Sequence, residues 1–171
     1  MEPLYYQEMD SPLGKIALGA GDDMLLYASF SREEEPDWLR GKTVRKEYNP
    51  VLRLAIRELT AYFHGTLRDF TVPVSFSGSE FQMLAWKGLQ QIPYGVTISY
   101  EELAVNIGRT RACRAVGQAN NRNPLAIIVP CHRVIGKNGR LVGYDGGLEK
   151  KAWLLQWEKH CLAQGFFSCQ T

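Results

Sequence analysis

The apolar pattern of this chain is mixed up to about Phe76 and its helical signals sharpen beyond Ser79, and a single layer of one element type cannot bury both patterns. Up to about Phe76, Leu4 to Met9, Lys15 to Leu18 and Met24 to Phe30 read as short strands, broken by Ser11-Pro12-Leu13-Gly14 and by Gly19 to Asp23. Charged Ser31 to Lys46 reads as a loop. After Pro50, the residues Leu52, Ala55, Ile56, Leu59 and Phe63 recur at helical spacing, with Gly65 placed as a stop. Ser75-Phe76-Ser77-Gly78-Ser79 reads as a linker. Residues 1–77 are therefore expected to form an α/β (α+β) domain, a small sheet packed by one helix. Residues 78–171 are expected to form a mostly helical one.

In the second half, Phe81, Leu84, Ala85, Gly88, Leu89 and Ile92 form one helical face that Pro93-Tyr94-Gly95 ends. Ser99 followed by Glu102 is a capping box, opening a helix through Leu103, Ala104 and Ile107 that stops at Gly108. Thr110 is placed to cap a further helix, Arg111 to Asn120, with Ala115, Val116 and Ala119 inward. Two short helices joined by a tight glycine-containing turn make a helix-turn-helix, though helical cores also contain such corners. Ala126-Ile127-Ile128-Val129 is apolar enough to require burial, and it runs into Pro130-Cys131-His132-Arg133. Asn138-Gly139 signals a tight turn, and Gly143 to Gly147 a flexible loop suited to close backbone approach to a ligand. A last helix runs from Leu148 through Trp153, Leu154, Leu155 and Trp157 to His160.

With 171 residues, 45% of them hydrophobic, the chain can bury a core, and no apolar run is long enough to cross a bilayer. The N-terminus lacks the pattern of a signal peptide, so a cytoplasmic location is expected. Four cysteines, Cys113, Cys131, Cys161 and Cys169, show no CxxC spacing, and free thiols are the expectation in a reducing compartment. The net charge of +2 is unevenly spread. Seven basic residues (Arg109, Arg111, Arg114, Arg122, Arg133, Lys137, Arg140) and no acidic ones lie between 109 and 140, leaving the remainder at a net of −5. Such a stretch is either a phosphate-facing surface or a solvated face balanced by spatial neighbours.

A thiol reacts as thiolate, and an adjacent imidazole is the usual means of ionising it near neutral pH. Cys131 and His132 are neighbours in sequence, but in an extended segment they would point apart, so a turn or a bridging water is needed. Three histidines (His64, His132, His160) offer no pair of metal ligands at zinc-finger spacing. Pro130-Cys131-His132-Arg133-Val134-Ile135-Gly136, preceded by Arg114-Ala115-Val116-Gly117 and Asn123-Pro124 and followed by Gly143-Tyr144-Asp145-Gly146-Gly147-Leu148, resembles the O6-alkylguanine-DNA alkyltransferase family. The likeness runs without an evident gap from about Phe81 to Glu158. In the first half it is confined to length and the Ser11-Pro12-Leu13-Gly14 turn.

The resemblance implies direct reversal of DNA damage: an alkyl group passes irreversibly from O6 of guanine to the thiol of Cys131, once per molecule. It implies a winged-helix-like second domain, no cofactor and a monomer acting on the minor groove of double-stranded DNA. Cys131 is the implied acceptor, ionised through a water bound to His132, which Glu158 orients; Asn123 supports the turn ahead of the thiol. Tyr100 and Arg114 correspond to family residues that rotate the target nucleotide outward and fill the gap it leaves, a step required because the lesion lies inside the duplex. Thr110, Arg111 and Ala115 join them on the DNA side, while Tyr144, Asp145, Val134 and Lys151 are implied around the substrate. Relatives often carry serine where Asp145 stands. Small residues around Arg114 (Ala112, Cys113, Ala115, Gly117, Ala119) suit a narrow groove, Cys113 reading plainly as a packing residue. The absence of an N-terminal cysteine pair implies no structural zinc. Three other readings compete: a non-catalytic binder of alkylated guanine, whose relatives carry tryptophan at the thiol position; a helix-turn-helix transcription factor; and a cysteine hydrolase, for which no glycine-rich oxyanion element precedes the thiol.

Overall fold

The computed structural model describes residues 3–31 and 36–165, in two compact units, Met1–Phe76 and Ser77–Thr171. In the first unit, β1 (Leu4–Ser11), β2 (Gly14–Ala20) and β3 (Leu25–Phe30) form an antiparallel meander. A two-residue β4 (Val44–Arg45) joins β1 in parallel, giving the sheet order β3-β2-β1-β4. Ser11 closes the first hairpin, its Oγ accepting from Leu13 N at 3.1 Å and donating to Gly14 O at 2.6 Å. Central β2 buries Ile16, Ala17, Leu18 and Ala20. The Trp38 ring stacks on Tyr27 at 4.6 Å and lies so close to Gly19, the cross-strand partner of Tyr27, that a Cβ there would stand 2.7 Å from it.

Helix α1 (Pro50–Phe63) starts where Asn49 Oδ1 accepts from Leu52 N at 2.9 Å, with proline in the first turn, and it packs Val51, Leu52, Ala55, Leu59 and Tyr62 against the sheet. Buried Glu58 accepts from Thr71 N, Thr71 Oγ1 and Val72 N, which pins the chain after the helix. The stretch read as a loop, Ser31 to Lys46, contains β4, and its residues 32–35 lie outside the described residues. The linker is tethered at its start, Ser75 N donating to Leu25 O at 3.0 Å.

The second unit contains α2 (Glu80–Leu89), β5 (Ile98–Ser99), α3 (Tyr100–Asn106), α4 (Cys113–Asn121), β6 (Val134–Ile135) and α5 (Leu148–Gln164). Capping boxes at Ser79/Gln82 and Ser99/Glu102 open α2 and α3. These two helices approach closely at Gly88, where a Cβ would stand 2.5 Å from Ile107 Cγ2. Trp86 Nε1 donates to Ala119 O at 2.8 Å, tying α2 to α4. Among the described residues, no helix is long and apolar enough to cross a membrane.

Three sequence expectations change here. Helix α2 ends at Leu89, and Ile92 is buried from the turn beyond it, whose N–H bonds Leu89 O. Helix α4 begins at Cys113; Thr110 is exposed and caps nothing, because Arg109 to Ala112 close their own turn through Ala112 N and Arg109 O at 2.8 Å. The apolar run Ala126 to Val129 is a compact turn, with Ile127 at φ +71° and Ile127, Ile128 and Val129 buried. Helix α5 continues past His160 to Gln164, where Gly165 ends it in the left-handed conformation.

Candidate active site

A turn built by Asn123 delivers the thiol. The Asn123 carboxamide donates to Val129 O at 2.8 Å and accepts from Leu125 N at 3.0 Å, bracketing the buried residues Leu125, Ile127 and Val129. A β-branched residue at positive φ is uncommon, and Ile127 is held there between these two bonds. Cys131–Arg133 then form a single 3-10 turn, with Cys131 only 5% exposed and His132 fully buried. The parallel pairing of β5 with β6, Ile98 opposite Val134 and Ser99 opposite Ile135, sets this turn beside the start of α3 and hence beside Tyr100. Val134 is itself fully buried, so its side chain belongs to the core.

Helix α5 supplies the charges behind the thiol. Its buried face reads Lys151, Leu154, Glu158, Cys161, one stripe at helical spacing with a lysine and a glutamate in it. Glu158 Oε1 lies 2.8 Å from His132 Nε2; since a carboxylate only accepts, that nitrogen carries the ring proton and Nδ1 is the basic one. Arg133 Nε reaches both Glu158 oxygens at 3.2 and 3.0 Å, and its Nη2 reaches Oε1 at 2.8 Å. Gly95 N donates to Oε2 at 3.0 Å. Lys151 donates to Val142 O at 3.0 Å and Gly143 O at 3.3 Å, and Tyr100 donates to the same Val142 carbonyl at 2.7 Å. These bonds anchor the loop leading to Tyr144 and Asp145; Asp145 is exposed and Tyr144 half-buried.

Burial dominates the electrostatics. It pushes the Cys131 thiol up to about 11; the Asn123 amide and the Lys151 charge pull downward and Asp145 adds to the rise. Only about one thiol in ten thousand would ionise unaided at neutral pH, so a proton acceptor is required. Burial and the nearby charges of Arg133 and Lys151 lower His132, against the opposing pull of Glu158, and the ring rests neutral. For Glu158, burial pushes upward, but His132 and Arg133 outweigh it and hold the carboxyl well below its usual range. Burial brings the Lys151 ammonium down to about 8, although Cys131 opposes the change. Tyr100 is pushed up to about 12, again chiefly by burial, so its hydroxyl is a donor at neutral pH.

On the outer side of α4, Arg109, Arg111, Arg114 and Arg122 are exposed, as are Lys137 and Arg140. Lys137 pairs with Glu101 at 3.1 Å. Tyr100, Thr110, Arg111, Cys113 and Lys137 line most of a cleft of about 220 Å³ at the foot of this helix. Three sequence readings fail here. Arg133, counted with the basic surface, is buried against Glu158 because its partner lies a full 25 residues away in the chain. Ala119 is 2% exposed and packs inward, so it cannot face a groove, whereas Ala115 and Gly117 stay partly open. Cys113 is exposed, not packed, and with buried Cys131 and Cys161 it is a free thiol; Cys169 lies outside the described residues. Buried Asn120, donating to Cys131 O at 3.3 Å, was missed, and no local signal separates it from neighbouring Asn121.

Comparison with known proteins matches both units. Residues 4–76 fit the family described as 6-O-methylguanine DNA methyltransferase, ribonuclease-like domain, and residues 80–160 the same family's DNA binding domain. The methylated-DNA--protein-cysteine methyltransferase of Methanosarcina acetivorans is 47% identical over 158 residues, covering 92% of this chain and 100% of that protein. The O6-methylguanine methyltransferase of Mycobacterium tuberculosis superposes with a TM-score of 0.84 at 41% identity, over 92% of this chain and 93% of the other. A structure of Mycobacterium tuberculosis OGT in complex with DNA gives 0.83 at 41% identity, over 92% and 94%. With relatives this similar along nearly its whole length, the chain belongs to the methylated-DNA--protein-cysteine methyltransferase family.

Proposed function

We propose that this protein repairs DNA by taking the alkyl group of O6-alkylguanine onto Cys131. The observation that carries the reading is the placement of a buried thiol, one residue before an imidazole backed by a buried carboxylate, on a turn paired to the start of a helix-turn-helix. Nucleophile, base and orienting acid are thus held by a turn and a helix, as activated nucleophiles require. The thiol proton passes through a water to His132 Nδ1, and Glu158 stabilises the imidazolium that forms. Sulfur attacks the alkyl carbon, the S–C bond forms as the C–O6 bond breaks, and the electron pair stays on guanine, shared between O6 and N1, where N1 takes up one proton in place of the one the thiol gave up. The Asn123 amide and the Lys151 ammonium favour the thiolate.

Exposed Arg111 and Arg114 and the residues Thr110 and Ala115 face the minor groove of duplex DNA. Tyr100 and Arg114 assist extrusion of the target nucleotide, and Tyr144, Lys151 and the backbone around Val134 and Asp145 receive the base. A compartment that keeps thiols reduced, the cytoplasm, suits a nucleophile of this kind. A thioether has no leaving group that water displaces under mild conditions, so each molecule acts once. Mixing the protein with a duplex containing O6-methylguanine should add one methyl mass to the peptide bearing Cys131 and stop at one equivalent. Turnover beyond one equivalent, or a methyl found elsewhere, would overturn the reading; binding without any mass gain would make the chain a recognition protein.

A further inference from the structure

Arg133 is the one charge on the thiol-bearing turn that the reaction above leaves unused, and it is among the most heavily bonded side chains of the unit. Three of its contacts go to the two oxygens of Glu158, and Nη1 donates to Ile92 O at 2.7 Å. The guanidinium also lies over the Tyr94 ring, 5.5 Å from its centroid. Arg133 is 6% exposed and Glu158 and His132 not at all. Glu158 therefore receives donors from Arg133, Gly95 and His132 together, and only the last is tied to the chemistry.

A carboxylate 2.8 Å from an imidazole ordinarily draws a proton onto the ring, which would remove the acceptor that the thiol needs. A guanidinium bonded to the same carboxylate counters that pull in two ways. It supplies a positive charge beside the ring, and it commits the carboxylate lone pairs to a cation other than the ring. We propose that Arg133 is a positioning residue for alkyl transfer: it fixes Glu158 as a permanent acceptor and keeps His132 neutral, with Nδ1 open to take the thiol proton. The proposal rests on the reading of Cys131 as alkyl acceptor. The other charged and titratable groups around the ring are Lys151 and Cys161 on α5, Cys131 on the same turn, and the buried hydroxyls of Tyr94 and Tyr144, which feel the Glu158 charge. Of these only Lys151 carries a positive charge, and its bonds go to the loop carbonyls rather than to Glu158.

The test measures the single-turnover rate on a duplex containing O6-methylguanine against pH, for the wild type, Arg133→Gln and Arg133→Lys. Imidazole nitrogen shifts of His132 are recorded on the unreacted proteins, with exposed His64 and His160 as references. In Arg133→Gln the acid limb of the rate profile should move up by about one pH unit, with the rate approaching that of the wild type at alkaline pH. Arg133→Lys keeps the charge but loses the fork, so its limb should stay near the wild type while its rate falls at every pH. A uniform loss in Arg133→Gln with an unmoved limb, or equal limb shifts in both variants, would reduce Arg133 to a packing role and overturn the proposal. If neither variant folds, the wild-type spectrum decides: a neutral ring protonated on Nε2 at neutral pH supports the proposal, and an imidazolium there overturns it. A wild type that transfers no methyl but shows the neutral ring would instead count against the alkyl-transfer reading alone.

Discussion

At the scale of single residues, the site sets opposing charges around one sulfur. Burial costs the thiolate most, Lys151 and Asn123 recover part of that cost, and Asp145 acts against them. Asp145 is exposed, so its influence is a through-space charge effect that a neutral isostere removes without disturbing packing. Replacing Asp145 by Asn should therefore lower the Cys131 pKa and raise the thiolate fraction at neutral pH by roughly twofold. Thiol reactivity toward a small electrophile, followed against pH, reports this directly; an unchanged profile would mean that solvent screens Asp145 completely. The neutral imidazole beside an ionised Glu158 shows the same principle from the other side. A contact distance alone does not decide a protonation state when burial disfavours the charged ring and a further charge shares the carboxylate.

At the scale of elements, the second unit is set by how closely its helices can approach. Gly88 allows α2 and α3 to meet at a separation that leaves no room for one extra methyl, since the nearest atom, Ile107 Cγ2, would be 2.5 Å from it. Its helical φ excludes the usual reason for a glycine, so the requirement is steric. Gly88→Ala should destabilise the unit by about 1–3 kcal/mol, more than the small gain in helix propensity returns. A urea titration followed by Trp86 and its neighbours checks this; an unchanged or higher midpoint would show that α3 shifts freely to make space. Because α3 carries Tyr100 at its first residue, such a shift would also disturb the Val142 and Lys151 bonds that anchor the loop leading to Tyr144 and Asp145.

At the scale of the whole molecule, charge is segregated along the chain. The segment from 109 to 140 carries no acidic residue and the remainder carries a net of −5, and of the segment's seven basic residues all but Arg133 are exposed. The exposed members, with Arg111 lining the cleft at the foot of α4, are the ones available to phosphates. If Arg111 contacts one phosphate, Arg111→Ala should reduce the slope of log affinity against log salt by about 0.9 and weaken binding to all duplex sequences alike. The equivalent change at Arg133 should leave the slope untouched, because its charge is already neutralised inside the fold. Salt-dependent binding isotherms separate the two, and an unchanged slope in Arg111→Ala would remove that residue from the phosphate surface.

The sequence by itself determined the elements with local signatures. Capping Ser99 and Glu102, the stop at Gly65, the turn at Asn138-Gly139 and the helical spacing after Pro50 depend on neighbours within one or two turns, and all are present. Cys131 and His132 were legible as a motif for the same reason. Three things only the tertiary structure decided. Helix α5 buries a stripe holding Lys151 and Glu158, which spacing alone does not show, because charged residues are seldom buried unless paired and the partners lie far away in the chain. The run Ala126 to Val129, apolar and β-branched, becomes a turn because the Asn123 carboxamide takes up its backbone groups and holds Ile127 at a φ that propensity disfavours. Arg133 turns inward, away from the basic face its sequence neighbours share. A buried carboxylate whose other partner, His132, is neutral needs a cation, and long-range pairing of that kind leaves no trace in spacing or composition.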